Sequence, residues 1–324
     1  MQRHPNTPAK PIFDIQLEEV PPLYDGRRAA LSLNIIVVGA GIGGLAAAHT
    51  LAQAGHRVTV FESAREFGEV GAGIQVSPNA SRLLLRWGLG PVLRARAVEP
   101  AAVVFRRYDS GDRVGYTGWG ARMANDHGAP YYNVHRADYH AMLLRLVRAA
   151  PGVRIFLDTT VRAVQPDPTV AGGPSVTLAG GEVLHADVII GADGVKSTLQ
   201  KAVTGIDDKP TPTGDAAYRA VVHTDFMLAD PELRPFVEVP ESTVWMAPGR
   251  HLVAYCIVSV RQRQQCSVFF SVFFWQRLRI VGNGGVPARK EGIQPRVTPP
   301  RRRIRRVVDG GGQWRQDACR FCGF

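Results

Sequence analysis

Residues 34–46 read NIIVVGAGIGGLA, and this stretch decides the fold. The run 33–38 is short and rich in β-branched residues, the pattern of a strand covered on both faces. Gly39, Gly41 and Gly44 follow in G-x-G-x-x-G register. The first permits a sharp turn, the second lets backbone approach a pyrophosphate, and the third lets a helix pack closely on the strand. From Ile42 to Ala54 come helix formers with Leu45, Ala48 and Leu51 as apolar positions, and Gly55 supplies a stop. RVTVF at 57–61 predicts a second strand. Strand, glycine turn, helix and strand make a βαβ unit, which calls for a right-handed crossover and a parallel sheet.

The helix start offers unpaired N–H groups and the positive end of its dipole to phosphates. Glu62 ends the second strand, 23 residues after Gly39. There a carboxylate can accept both ribose hydroxyls of an adenosine and repel a 2′-phosphate, so NADPH suits this site poorly. A glycine turn alone is common, and Glu62 could be a solvated strand-end acid. The combination in one βαβ unit favours dinucleotide binding but does not separate FAD from NAD.

Outward from this unit, helices are expected at 79–87 and 137–150, and strands at 153–157 and 188–190. Residues 175–185, with Gly180-Gly181 at their centre, read as a hairpin, and 216–222 and 252–260 as strands of a more antiparallel layer. The N-terminal 30 residues are Pro-rich and of mixed charge, which predicts a loosely ordered leader. They lack the apolar core of a secretory signal, and no apolar run approaches the roughly 18 residues of a membrane span. A cytoplasmic protein with no membrane span is expected.

The chain has 324 residues and a net charge of +11, which at first suggests a nucleic-acid footprint. From Arg261 onward, however, there are 14 basic and three acidic residues, while 1–260 balance at 25 of each. The basicity therefore belongs to a tail at 261–324, where RRRIRR without interleaved aromatics reads as a solvated charge run and not a nucleic-acid site. Cys319 and Cys322 have C-x2-C spacing, but no second pair exists and no histidine follows His251, so no metal site is expected.

Five segments together resemble the class A FAD-dependent aromatic monooxygenases, in particular the fungal salicylate hydroxylase-like branch. They are VVGAGIGGLAAAHTLAQAGHRVTVFE, EVGAGIQVSPNASRLLLRWGL, VHRADYHAMLL, ADVIIGADGVKSTLQ, and AYRAVV with WMAPGRHLVAYCIV. The fourth, with Asp193-Gly194 after a buried strand, is the most specific. The resemblance implies a p-hydroxybenzoate hydroxylase-like α/β fold: a Rossmann-like FAD-binding domain at 31–205, with an excursion into the substrate domain at about 90–130. It is interleaved with an incomplete antiparallel-sheet substrate domain at 206–260, followed by a basic, disordered tail at 261–324.

The same resemblance implies FAD as cofactor, NAD(P)H as co-substrate, and hydroxylation of a small, salicylate-like aromatic substrate with O2. Residue by residue, it places Arg136 at the flavin side of the cofactor, the backbone of Ala72 and Gly73 along it, and Asp193-Gly194 at the pyrophosphate and nicotinamide. Arg219 and Tyr255 take catalytic roles, Arg219 orienting a carboxylate and Tyr255 or His223 assisting deprotonation. Against these stand blander readings: a surface arginine, turn glycines, an ordinary Asp-Gly turn and a core tyrosine. One departure matters. The family's GDAAH-P-type motif is missing from 259–324; Asp309-Gly310 runs into Gly311-Gly312 with no Ala-rich helix after it. The final strand and helix of the cofactor domain are thus expected to be lacking, and a non-catalytic dinucleotide-binding remnant is the alternative function.

Overall fold

Every residue of NIIVV after Asn34 is buried, and the alternation of its side chains explains why none of them is polar. Ile35 and Val37 enter one apolar cluster, while Ile36 and Val38 enter another on the opposite face. Successive side chains of a strand point to opposite faces, so a strand sandwiched between two layers must be apolar throughout.

The computed structural model describes residues 11–68, 73–257 and, as backbone, 267–275. All belong to one compact unit, Met1–Gln276. Along the chain, β1 (Asn34–Val38) leads into α1 (Ile42–Gln53) and β2 (Arg57–Phe61). Then come β3 (Gly73–Val76), α2 (Pro78–Arg86), α3 (Gly90–Arg96), β4 (Ala97–Val98), β5 (Ala102–Arg107) and β6 (Arg113–Gly118). Next are α4 (Ala121–His127), β7 (Tyr132–His135), α5 (Arg136–Ala149) and β8 (Val153–Phe156). β9 (Val161–Gln165), β10 (Ser175–Leu178), β11 (Val183–His185), β12 (Val188–Gly191) and α6 (Gln200–Thr204) follow. The last are β13 (Asp215–His223), α7 (Thr224–Ala229), α8 (Pro235–Glu238), β14 (Glu241–Ala247), β15 (Arg250–Cys256) and β16 (Ser267–Trp275).

The parallel sheet has the order β12-β1-β2-β8. One face is covered by α1 and α5, whose Leu45, Ala48, Met142, Leu143 and Leu146 bury against Val37, Val58 and Val60. The other is covered by the small antiparallel sheet β11-β10-β9, through Val161 and Val176 against Ile36, Val38 and Phe61. The expected hairpin is β10–β11, paired from Ser175↔His185 to Thr177↔Val183. A six-stranded sheet, β13-β16-β15-β14-β5-β6, forms the second layer system. β5 and β6 come from the excursion between residues 90 and 130, and β5 pairs in parallel with β14.

Two expectations need correction. From Pro11 the leader is not loose: Ile12 is buried in the main core, and the Arg145 guanidinium donates to the carbonyls of Ile12 and Ile15. The Glu18 N–H reaches the Gly88 carbonyl at 2.9 Å and the Ala29 N–H that of Ala54 at 2.8 Å. Composition missed this because the anchors are tertiary; burying one isoleucine contributes about 2 kcal/mol that no local pattern reveals. The tail is likewise not uniformly without structure, since Ser267–Trp275 forms β16 between β13 and β15. Its lack of alternation hid it, although Val and Phe are strong strand formers. The rest of the tail, including RRRIRR and the C-x2-C pair, lies outside the described residues, as do residues 258–260 of the strand expected to run from 252.

Candidate functional site

The glycine turn is built by close approach between two strand ends. Because β12 pairs with β1, Ala192 arrives beside Gly39, its N–H bonded to the Val38 carbonyl at 2.8 Å. Gly39 has φ +101°, and a Cβ there would collide with the Ala192 carbonyl. A Cβ on Gly44 would collide with the Gly39 carbonyl, so the third glycine is fixed by packing of α1 on the turn. Gly41 differs. It is the N-cap of α1 with ordinary extended backbone, and a Cβ there would meet nothing within 4 Å. Two glycines serve the fold and the middle one keeps space open where a helix N-terminus points.

Glu62 faces this space from the end of β2. One carboxylate oxygen accepts the Ala40 N–H at 2.8 Å, and the other accepts the Ala64 N–H at 2.9 Å and the Ser63 hydroxyl at 3.3 Å. Across the turn, the Asp193 carboxylate accepts the Ser197 hydroxyl and the Thr198 N–H, both at 2.7 Å, and the Leu199 N–H at 3.3 Å. Burial pushes the Asp193 carboxyl up, but the hydrogen bonds from Ser197, Thr198 and Leu199 together outweigh it, so it lies below the ordinary carboxylate range. Gly194 takes φ +76°, a conformation that favours glycine. Gly39, Gly41, Glu62, Asp193 and Gly194 line one open cleft of about 410 Å³.

A second cluster gathers on the six-stranded sheet. A Cβ at Gly73 would lie 2.7 Å from the Tyr255 ring and 2.8 Å from Ile257, so glycine at 73 lets the buried Tyr255 lie against β3. Gly73 pairs with His135, the residue before Arg136. Arg219 and Val253 both pair with Ser271 from opposite sides, and Tyr255 is two residues from Val253. By register, then, Arg219 and Tyr255 share a face of the sheet. Burial, reinforced by Tyr131, pushes the Tyr255 phenol above the ordinary tyrosine range, and Arg219 pulls partly against this. Arg219 itself is exposed on the edge strand β13, and His223 is exposed at its end.

The predicted residues therefore fall into two groups: Gly39, Gly41, Gly44, Glu62, Asp193 and Gly194 around the turn, and Gly73, Arg219 and Tyr255 at the sheet. Arg136 begins α5 next to the second group. Ala72 lies outside the described residues. Sequence reasoning missed Tyr131, whose ring packs on Trp119 at 4.3 Å. It also missed Asp138, where burial pushes the carboxyl up against the opposing pull of Arg96 and His135, and His140, whose Nε2 lies 2.8 Å from the Ala40 carbonyl. His140 is one helical turn from Arg136, and that i, i+4 spacing was the available signal.

The turn fits a dinucleotide cofactor: the space beside Gly41 would be filled by any Cβ, and a helix N-terminus and the Glu62 carboxylate face the same cleft. The comparisons agree. A family model described as "FAD binding domain" matches residues 32–277. The FAD-dependent monooxygenase OpS4 of Beauveria bassiana (strain ARSEF 2860) is 38% identical over 69% of this chain and 52% of its own length. The 3-hydroxybenzoate 6-hydroxylase of Klebsiella oxytoca is 34% identical over 74% of this chain and 57% of its own. The chain thus spans about half the length of the curated relatives it matches. The crystal structure of CtdE in complex with FAD and substrate superposes with a TM-score of 0.63 at 20% identity, over 76% of this chain and 57% of that one, a likeness of fold. With the family matched across both the glycine turn and the six-stranded sheet, the chain belongs to the FAD-binding family of flavin-dependent aromatic monooxygenases.

Proposed function

We propose that this chain carries the FAD-binding and part of the substrate-binding machinery of an aromatic hydroxylase that uses NAD(P)H and O2 on a salicylate-like phenolic acid. The observation that carries this reading is the single cleft shared by Gly41, Glu62 and Asp193-Gly194. FAD, when bound, supplies the redox chemistry: reduction by NAD(P)H and activation of O2 for transfer of one oxygen atom to the ring. The protein residues bind, orient and shield. Amides at the start of α1 take the pyrophosphate, and Glu62 accepts the ribose hydroxyls with the acceptor sites its backbone N–H bonds leave free. Arg136 faces the flavin end from the first turn of α5.

Arg219 orients the substrate carboxylate, which its planar fork can hold with two parallel hydrogen bonds. Tyr255 is better suited to donate than to abstract a proton. A phenol is protonated at neutral pH and burial pushes this one further up, so it offers a hydrogen bond to a substrate phenolate and is a poor base. The protein works in the cytosol. Among the described residues no helix is long and apolar enough to cross a membrane.

A second reading, dinucleotide binding without hydroxylation, is favoured by one observation. β12 is the outer strand of the parallel sheet among the described residues, and its Val188 is 38% exposed. An exposed edge there admits water to the cleft, and a reduced flavin open to water returns O2 as hydrogen peroxide without transferring oxygen to a ring. We expect weak FAD retention and NAD(P)H oxidation that yields hydrogen peroxide in place of a hydroxylated ring. Absorption spectra of the purified chain with and without added FAD, followed by NAD(P)H consumption and product analysis with salicylate and 3-hydroxybenzoate, test both readings. Stoichiometric flavin with hydroxylated product selects the first and flavin without product the second; no flavin uptake rejects both.

A further inference from the structure

We propose that His140 is the positioning residue that aims the Gly41 N–H at the cofactor pyrophosphate. The inference rests on the dinucleotide reading of the turn. His140 lies in α5, 100 residues from Ala40 in sequence, and is only 5% exposed. Its Nε2 is 2.8 Å from the Ala40 carbonyl oxygen. A carbonyl oxygen can only accept, so Nε2 carries the proton and donates. The ring is held in this pose by Phe67, with ring centroids 5.3 Å apart.

The consequence comes from peptide geometry. In a trans peptide the C=O and the N–H of the next residue point in opposite directions. Drawing the Ala40 carbonyl toward buried α5 therefore turns the Gly41 N–H outward. Outward from α5 lies the open cleft that Gly41 lines together with Glu62 and Asp193. The preceding peptide is fixed independently, because Glu62 accepts the Ala40 N–H at 2.8 Å. Both polar groups of Ala40 are thus held by side chains from other elements. Without His140 the Ala40–Gly41 peptide could rotate, and a glycine at its second position makes that rotation easy.

His140 also links the two groups of site residues. It is one turn along α5 from Arg136, on the same face of the helix. The helix that begins beside Gly73 and Tyr255 therefore also sets the phosphate-binding amide.

The test uses the full chain with His140→Leu, which keeps the bulk and loses the donor, and His140→Gln, which restores an N–H close to the Nε2 position. Val237→Ala, in α8 and fully buried, serves as a destabilised control in another cluster. Affinities for FAD and for ADP are measured by fluorescence and calorimetry, and hydrogen exchange is followed in peptides covering the turn without ligand. His140→Leu should weaken both ligands about tenfold, the size of one lost hydrogen bond to an ordering group. It should also speed exchange at the turn, while His140→Gln recovers both properties and Val237→Ala leaves the affinities unchanged. Equal behaviour of the Leu and Gln variants, or unchanged exchange and affinity in His140→Leu, overturns the proposal. If the unsubstituted chain takes up neither FAD nor ADP, the functional reading falls, and the exchange experiment still decides whether His140 orients the turn.

Discussion

The two halves of the site are built in opposite ways. The proposed adenosine half is largely local and lines an open cleft: one βαβ unit supplies the three glycines and Glu62, and a neighbouring strand adds Asp193. The substrate half is assembled from β3, β13 and β15, which are distant in sequence, and its Arg219 stands on a strand almost wholly exposed. In folding, the first half should be sensitive to added atoms at Gly39 and Gly44, while Arg219 in the second should be tolerant in folding but sensitive in binding. Substitutions that separate stability from affinity can break that contrast.

The largest effect is expected inside the turn. Gly44→Val forces a branched side chain into the Gly39 carbonyl, which is backbone and cannot swing away. A loss upwards of about 3 kcal/mol is expected, read as a collapse of the melting temperature or of soluble yield. Gly41→Ala in the same motif meets no neighbour, so its melting temperature should match that of the parent while FAD binding weakens by about tenfold or more as the methyl enters the phosphate space. Parallel behaviour of the two variants would show that the turn does not divide into fold and ligand positions.

Next in size is the acid sensitivity of the adenosine half. His49 on α1 is buried against the edge of Trp87, with ring centroids 5.2 Å apart, and among the described residues its Nδ1 has no partner. Burial lowers its pKa from 6.5 to about 4, against a hydrogen bond to the Leu146 backbone that raises it. The folded-state value lies below the unfolded one, so the unfolded chain binds this proton more readily. Stability is present above pH 6.5 and is lost as pH falls toward 4, by roughly 3 kcal/mol in all. Urea unfolding at pH 7, 5.5 and 4.5 measures this, and His49→Leu should flatten that part of the profile. An unchanged slope in the variant would remove His49 as its cause.

A smaller effect is expected at Asp193. Replacing it by Asn removes a charge that accepts from Ser197, Thr198 and Leu199. The loss should be about 1 kcal/mol, low for charge-assisted bonds because the carboxylate is only half-buried. Its folded pKa lies below the ordinary 3.8, so its contribution is present above that value and disappears as pH falls through the folded pKa. Denaturation curves of Asp193→Asn and the parent should therefore differ at pH 7 and draw together only as pH falls below 3.8. A constant difference would mean that the carboxylate charge is not what stabilises the turn.

The same contrast explains what was legible in the sequence. β1, α1, β2, α5 and β12 follow from periodicity and glycine spacing, because their cores are set by neighbours within one βαβ unit or by a full apolar face. Gly44 and Glu62 were legible because their partners lie within the βαβ unit, whereas Gly39 was legible from its spacing although the contact that requires it, Ala192, comes from β12. The order of the six-stranded sheet was not legible. β16 has no alternation to mark it, and β5 pairs with β14 across more than a hundred residues. The anchoring of the leader by Arg145 depends on a contact across 133 residues that no local window contains. His140 lies within the helix expected at 137–150, and its i, i+4 spacing from Arg136 was a weak signal that only its distance to Ala40 makes specific. Tyr131 precedes a strand and carries no motif, so nothing but its packing on Trp119 and its coupling to Tyr255 marks it.

The smallest effect on stability, and the sharpest division from the turn, is expected at Arg219. The residue is exposed on β13, where a truncated side chain leaves no cavity, so Arg219→Ala should change the unfolding free energy by less than about 0.5 kcal/mol. The same change removes a cation that pulls against the upward shift of Tyr255, so the phenol should move still higher. A benzoate-type anion would lose its bidentate partner, and its affinity should fall about tenfold to a hundredfold. Neutral phenols of equal size, which have no carboxylate to present, should bind as before. Comparing salicylate with phenol on the parent and on Arg219→Ala therefore isolates the charge contact from packing. Equal losses for both ligands would mean that β13 contributes shape alone, and that the carboxylate is held by a group other than Arg219.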